Sequence, residues 1–507
     1  MNNRISVLSE PKIVFGDNRS LTDPHAGLSL FGPYDKSETS HPGKIVYALL
    51  GTDVGIARFQ EFVTAIQSPI FHESFYGHFE SLELERLWPP FPGFSAAFES
   101  EFPKTTKYIY RISESEIKQK VTDLDPHKRA FDVANLYLEK IRLIAERDEH
   151  ISVVICVEPD AVWANCRPKS TIREGGTGVK VSSREANLRR QYGADLFLDI
   201  PEGQYDYSVD FRRQLKARSM EYGMPLQLIR ESTLVLRPQE GDRELTSLSD
   251  RAWNLATAIY YKAGGKPWKL ADARDGVCYV GLAFKQAEGA KTKRSTACCA
   301  AQMFLDTGDG VVFRGEFGPW YSERTGEFHL KRESARFLLE GVLKAYAEQD
   351  GRELKEVFLH SRSGFNEDEL KGYADACGSG IKLVGVRVGS GNRDLRMFRN
   401  GDWCVQRGTM WIHDQQTAYL WASGFKPDLL TYDGWEVPAP IQVNIQYGDA
   451  DIVQVAKDIL ALTKLNYNAC KVGDALPVTV AFSDKVGEIL TSNPKIQKRH
   501  PQFKFYI

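Results

Sequence analysis

Apolar residues recur along this chain at two different periods, and the alternation between the periods sets out its organisation. In residues 44–50 (KIVYALL) and 151–157 (ISVVICV) the apolar run is almost unbroken, the pattern of strands covered on both faces. Between them, Ile56, Phe59, Phe62, Val63 and Ile66 fall near helical spacing over residues 55–67. Phe131, Val133, Leu136, Leu138, Ile141 and Ile144 mark a second amphipathic helix over residues 128–148. A helix over 211–222 and a short strand over 226–230 follow. Strand, helix and strand in this order predict an α/β unit with a Rossmann-like parallel sheet.

Further along, the period shortens. Residues 277–284, 297–305 and 311–317 read as three strands in close succession, with the turn TGDG at 307–310. A long helix over 331–348, a strand over 357–360, a helix over 367–377 and a strand over 381–388 come next. Three antiparallel strands followed by alternating helix and strand fit an RNase H-like α/β domain. The first 43 residues are rich in Gly, Pro and Asp and read as an extended, linker-like lead-in. Residues 84–103, rich in Pro and Phe, read as loop.

Composition narrows the function classes. At 507 residues the chain has room for two or more domains. Hydrophobic residues make up 42% and charged residues 26%, with a net charge of −2, so any nucleic-acid site has to be a local groove. The eight cysteines form no CxxC pair and read as buried free thiols of a reducing cytosol; Cys298 and Cys299, adjacent in a strand, point to opposite faces. No signal-peptide core and no bilayer-length apolar run occur, and a cytoplasmic location without membrane contact is expected. The histidines lack metal-ligand spacing, no GxxxxGK[ST] loop is present, and GTDVG at 51–55 is an ordinary strand-to-helix turn.

One constellation suggests an anion. The segment 252–270, AWNLATAIYYKAGGKPWKL, reads as a helix stopped by Gly264-Gly265 and kept from resuming by Pro267. Lys262 sits in its last turn, with Lys266 and Lys269 just beyond. Taken alone, a lysine there is explained by the helix dipole. Arg212 and Lys216, however, are four apart on one helix face, and Gln227 follows on a strand that can fold back over that helix. Two or three cations with an amide donor suit a terminal phosphate. A polar stretch at 166–190, with Arg167, Lys169, Arg173, Lys180, Arg184, Arg189 and Arg190, reads as a basic inserted loop.

The motifs DPHAGLSLFGP, QLKAR with PLQLIRESTL, AIYYKAGGKPWKL, CYVGLAFK, ACCAAQMFLDTGDG, GEFGPWY, LTKLNYNAC with LPVTVAF, and the tail FKFYI run nearly end to end. On them the chain resembles the short prokaryotic Argonautes. The resemblance implies a lead-in over 1–43, a MID domain over 44–269 and a PIWI domain over 270–507. It implies that Arg212, Lys216, Gln227 and Lys262 hold the 5′-phosphate of a guide, with Asn254 as a further contact. The carboxylate of Ile507 would enter the same pocket and help hold Mg2+ against the guide phosphate.

The resemblance also implies what is missing. Slicing relatives carry an acid in a Gly-x-Asp strand and another in an Arg-Asp-Gly run. Here the first strand, VCYVGLAF, has Ala283, and the second run, FLHSRSGF, has His360 and Ser361. Other acids, Asp306, Glu316 and Glu369, are explained by solvated turns and helix faces. The expectation is an inactive PIWI that loads guide RNA and pairs it with single-stranded DNA. Its partner would be a TIR–APAZ protein in a heterodimer that oligomerises on target binding and hydrolyses NAD. A sirtuin-like–APAZ or nuclease–APAZ partner is the alternative, and a stand-alone guide-directed nuclease or a plain interaction scaffold are the competing classes.

Overall fold

The computed structural model describes residues 4–71, 88–172, 179–180, 208–286, 297–304, 310–314, 319–350, 353–390, 395–432, 434, 436–492 and 499–507. Two sheets organise them. The smaller has four strands in the order Ile109–Arg111, Tyr47–Gly51, Val153–Glu158, Leu226–Arg230, all parallel. Alternate side chains of its central strands face opposite cores. Ala48, Leu50, Val154 and Cys156 meet the Pro126–Ala145 helix, and Tyr47, Leu49, Val153 and Ile155 meet the Asp53–Ala65 and Leu248–Lys262 helices. Cover on both faces is why these strands read as unbroken apolar runs. The Pro126–Ala145 helix begins two residues earlier than its apolar pattern, because Asp125 caps it and Pro126 suits its first position.

The larger sheet has nine strands. Its order is Arg4–Val7, Thr409–Ile412, Thr417–Leu420, Ile441–Tyr447, Lys382–Ser390, Glu356–Ser361, Val277–Gln286, Ala297–Phe304, Gly310–Arg314. The last three pair antiparallel, as the short-period run predicts. Val277–Gln286, Glu356–Ser361 and Lys382–Ser390 lie parallel, and the helices Arg332–Asp350 and Glu367–Cys377 occupy the connections. These helices cover one face; Ile452–Leu462, Val478–Ala481, Ser483–Leu490 and the tail cover the other.

The opening residues correct the linker-like expectation. Arg4–Val7 forms the edge of the nine-stranded sheet, and Ile13–Val14 pairs with both Ser20–Leu21 and Lys269–Leu270. Asp23 caps the Pro24–Phe31 helix, Pro24 fills its first position, and Phe15 and Leu28 are fully buried. Glycine and proline here punctuate short packed elements rather than a tether. Residues 88–103 likewise hold a short helix, Phe94–Phe98, in a cluster of rings with Phe102.

One hydrophobic core runs from the four-stranded sheet into the nine-stranded one. Trp268 Nε1 donates to the Lys464 carbonyl at 2.9 Å, and Tyr467 Oη donates to the Trp268 carbonyl at 2.5 Å. All six described cysteines carry free thiols, five of them buried. No helix among the described residues is long and apolar enough to cross a membrane.

Gly281, in the middle of its strand, is where the Val478–Ala481 helix comes closest. A Cβ there would lie 2.0 Å from the Thr479 carbonyl oxygen. Gly281→Ala should therefore push that helix off the sheet and cost about 1–3 kcal/mol. Urea denaturation reads this as an earlier midpoint; an unchanged midpoint would show that the helix is not seated as described.

Candidate anion-binding site

The Leu248–Lys262 helix ends as its sequence foretells. Gly264, at φ +107°, donates to the Tyr261 carbonyl and Gly265 to the Tyr260 carbonyl, which is a Schellman closure. Gly265 has no space for a side chain, since a Cβ would meet the Tyr260 ring at 2.3 Å. The opening segment locks this turn from outside: Asp35 accepts from Lys266 N at 2.8 Å and from Tyr260 Oη at 2.5 Å. Lys269 is drawn over the Tyr34 ring, away from the helix end.

Lys262 points inward. It is 1% exposed, and its ammonium donates to Gln227 Oε1 at 2.7 Å. Gln227 sits beside Ile155 in the sheet register, on the face that the Leu248–Lys262 helix covers. Lys216, in the last turn of the Phe211–Ser219 helix, is half-buried. Its ammonium reaches the Tyr506 carbonyl at 3.4 Å. Among the described residues neither ammonium has a carboxylate at ion-pair distance.

The charge balance is unfavourable without a ligand. Burial, then the cations of Arg212 and Lys485, bring the Lys216 amine down to about 7, against a small opposing effect from Asp210. Burial, then Lys216 and Arg212, push Lys262 well below the ordinary lysine range. A second buried lysine shows the contrast. Lys464 donates to Glu10 at 2.7 Å, and Glu10 also pairs with the buried Arg407 at 2.9 Å. At this pair of buried cations the chain supplies an acid. At Lys262 it supplies an amide.

The structure joins Lys262 to Gln227, places Lys216 and Arg212 near enough for their charges to act on Lys262, and brings the tail to Lys216 through the Tyr506 carbonyl, whereas Asn254 lies elsewhere. The Arg212 guanidinium turns away, donating to the buried Glu158 at 2.6 Å and lying 4.7 Å from the Trp163 ring. Asn254 is two helical turns before Lys262, about 12 Å along the axis. Its amide oxygen accepts from Cys470 N at 2.9 Å and its nitrogen donates to Asp250 at 3.1 Å, so it fixes the Cys470 loop. Ile507 is 5% exposed, its tail held by the Phe503–Phe505 turn and by Val312 N donating to the Pro501 carbonyl at 2.7 Å. Magnesium needs oxygen ligands, which among the expected residues the Ile507 carboxylate can supply and the gathered side chains do not. Two are ammonium groups, and the Gln227 oxygen already accepts from one of them. Among the described residues no three His, Cys, Asp or Glu converge on one point.

The positions expected to have lost acids lie in the larger sheet. Ala283 is buried and pairs with Ala300. Ser361 sits opposite Leu282, so by strand alternation it faces the other side of the sheet from Ala283. The two therefore do not converge. The Arg-x-Gly triplet itself is Arg362-Ser363-Gly364, which puts Ser363 where that pattern carries its acid. His360, beside Gly281 in register, bonds Thr479 Oγ1 at 2.9 Å, and burial keeps it neutral by bringing it down to about 3. Glu369 accepts from Leu330 N and Asn366 N as part of a capping box. Asp306, Glu316 and most of the basic stretch 166–190 lie outside the described residues.

Comparison with solved structures follows the geometry. Clostridium butyricum Argonaute bound to a guide DNA (5′ deoxycytidine) and a 19-mer target DNA matches all of this chain at TM-score 0.63 and 16% identity. Aa-Ago with externally bound siRNA matches all of it at 0.57 and 14%, and A. aeolicus Argonaute 99% of it at 0.54 and 14%. The chain spans only 54–56% of those proteins. At these identities the likeness establishes an Argonaute-like fold. No protein-family model and no curated protein matches the chain.

An anion bound by this lysine pair would be bound in a proton-linked way. A phosphate monoester is largely a dianion above about pH 6. Its site is complete only with Lys216 protonated, so binding above pH 7 takes up a proton, and affinity falls about tenfold per pH unit. Titrations of a 5′-phosphorylated oligonucleotide from pH 6.5 to 9 should show this slope, and Lys216→Ala should flatten it. A flat wild-type profile would contradict the assignment.

Proposed function

We propose that this chain is a guide-loaded sensor of nucleic acid that does not cut its target. One observation carries the reading: Lys262 is buried against an amide with no acid at ion-pair distance among the described residues, beside the half-buried Lys216, within an Argonaute-like fold. In this reading the four-stranded sheet is the Rossmann-like MID domain, and the nine-stranded sheet is the RNase H-like PIWI domain. A guide 5′-phosphate neutralises the two lysines, and the second N–H of the Gln227 amide, whose nitrogen also donates to the Leu228 carbonyl at 3.3 Å, orients it. The guide, an RNA, reads sequence by pairing with single-stranded DNA, while the protein reads phosphate and duplex shape.

Two features support the absence of cleavage. The strand position of the first acid is Ala283, and the sheet face beside it, at Gly281 and His360, is closed by the Val478–Ala481 helix. Metal-dependent cleavage needs several converging carboxylates there. Output then belongs to a partner. The resemblance favours a TIR–APAZ protein that hydrolyses NAD when the target is bound, ahead of a sirtuin-like–APAZ or nuclease–APAZ partner.

The pocket test compares 5′-phosphorylated with 5′-hydroxyl guides by filter binding. Lys216→Ala with Lys262→Met should cost the phosphorylated guide roughly 100-fold and the hydroxyl guide little, the scale for removing buried charge partners. Equal losses for both guides would reject the pocket. The cleavage test incubates the guide-loaded chain with labelled complementary DNA and Mg2+ or Mn2+. The target should stay intact, and guide-dependent cuts lost on mutating Glu316 would identify a nuclease instead.

A further inference from the structure

The anion set anticipated from sequence divides into two neighbouring sites on one helix. Lys216 faces Lys262 and Gln227, whereas Arg212, one turn earlier, joins a different group at the carboxyl ends of two parallel strands. Glu158 and Arg230 end those strands and are register partners. Trp163 follows directly, in the Asp160–Asn165 helix. Three guanidiniums surround its indole: Arg167 and Arg212 at 4.7 Å and Arg230 at 5.3 Å from the ring centroid.

The cations in this group are not all balanced. Arg212 pairs with Glu158, and Arg230 with Asp160. Among the described residues Arg243 bonds the hydroxyls of Ser232 and Thr233 and no carboxylate. Arg167 has no carboxylate at ion-pair distance among the described residues, and its buried Nε has no hydrogen-bond partner. Burial and the neighbouring arginines hold both Arg167 and Arg243 below the usual guanidinium range. Guanidiniums held over an aromatic ring have restricted N–H directions, which lowers the ordering cost of gripping a tetrahedral anion. The place is also one where open parallel sheets take ligands, outside the carboxyl ends of adjacent strands.

We propose that Trp163 with Arg167, Arg212 and Arg230 is a second phosphate site, which receives the first internucleotide phosphate of the strand whose 5′-phosphate lies at Lys216 and Lys262. This rests on the guide-binding reading above. Arg212 and Lys216 are four residues apart, about 6 Å along their helix, so one strand can engage both sites with consecutive phosphates. Trp163 acts here as the support that orients the guanidiniums.

The experiment uses the full chain and a short 5′-phosphorylated RNA carrying either a normal or an uncharged methylphosphonate first linkage. Binding is followed by anisotropy as salt is varied. For wild type, the neutral linkage should weaken binding about fivefold and reduce the salt slope by about 1. Arg167→Gln should weaken the normal RNA by the same factor and be indifferent to the neutral linkage. Its preference for 5′-phosphate over 5′-hydroxyl should stay at the wild-type value, and its thermal midpoint reports that it is folded. Wild-type affinity in Arg167→Gln, or losses from variant and linkage that multiply, would overturn the second site. Loss of 5′-phosphate preference in wild type would overturn the guide-binding reading, a result distinct from either of these. Should Arg167→Gln fail to fold, the wild-type linkage comparison decides alone: no loss on neutralising the first linkage overturns the proposal.

Discussion

The arrangement at Lys262 is the constraint around which the rest of this structure is organised. Removing an ammonium from water costs several kcal/mol unless an opposite charge replaces the lost hydration. The chain meets that cost at Lys464 and Arg407 with Glu10, and leaves it unmet at Lys262, where the partner is Gln227. A second ammonium, Lys216, and the Lys485 cation make the imbalance worse. Such a position persists only if the surroundings hold it in place. The Schellman turn fixes the helix end, Asp35 fixes the turn, and the Ile13–Val14 strand fixes the segment that follows. The opening residues thus serve as a brace for a strained electrostatic site.

The same site lies where the two sheets share their core. The Phe211–Ser219 helix contributes Lys216, and its neighbour Gln214 donates to the Ser492 carbonyl at 2.8 Å. Lys216 itself reaches the Tyr506 carbonyl of the tail, and that tail packs on the far edge of the nine-stranded sheet through Val311 and Gln502. Groups from both halves therefore meet at the Phe211–Ser219 helix.

Much of this architecture was legible because the responsible patterns are local. Double-sided burial gives the apolar runs of Tyr47–Gly51 and Val153–Glu158, and the short-period strands and the Glu367–Cys377 helix follow their sequence closely. The lead-in was misread because its elements are held by distant partners, Thr409–Ile412 and Lys269–Leu270, which no local period reports. In the candidate site, the meeting of Lys262 with Gln227 was legible from turn chemistry and spacing, and the hydrogen-bond partners of Arg212 and Asn254 were not. A guanidinium or an amide on the correct helix still chooses among neighbours, and here Glu158 and Cys470 win. The sheet face that Ser361 occupies was not legible either. Strand parity assigns it to the opposite face from Ala283, and parity needs the register with Leu282.

Parity also explains why the larger sheet has so little room for chemistry beside Gly281. On that face Gly281 and His360 are adjacent, and Thr479 presses against both, its carbonyl on the glycine and its hydroxyl on the imidazole. A metal centre in that place would need space, water and converging acids. The chain instead provides a glycine that admits a helix, an alanine at 283 and a histidine that burial keeps neutral. These substitutions support one another, since an acid at 283 would be desolvated by the packing that Gly281 permits. This face of the larger sheet is therefore closely packed, while uncompensated positive charge gathers at the smaller sheet, around Lys216 and Lys262.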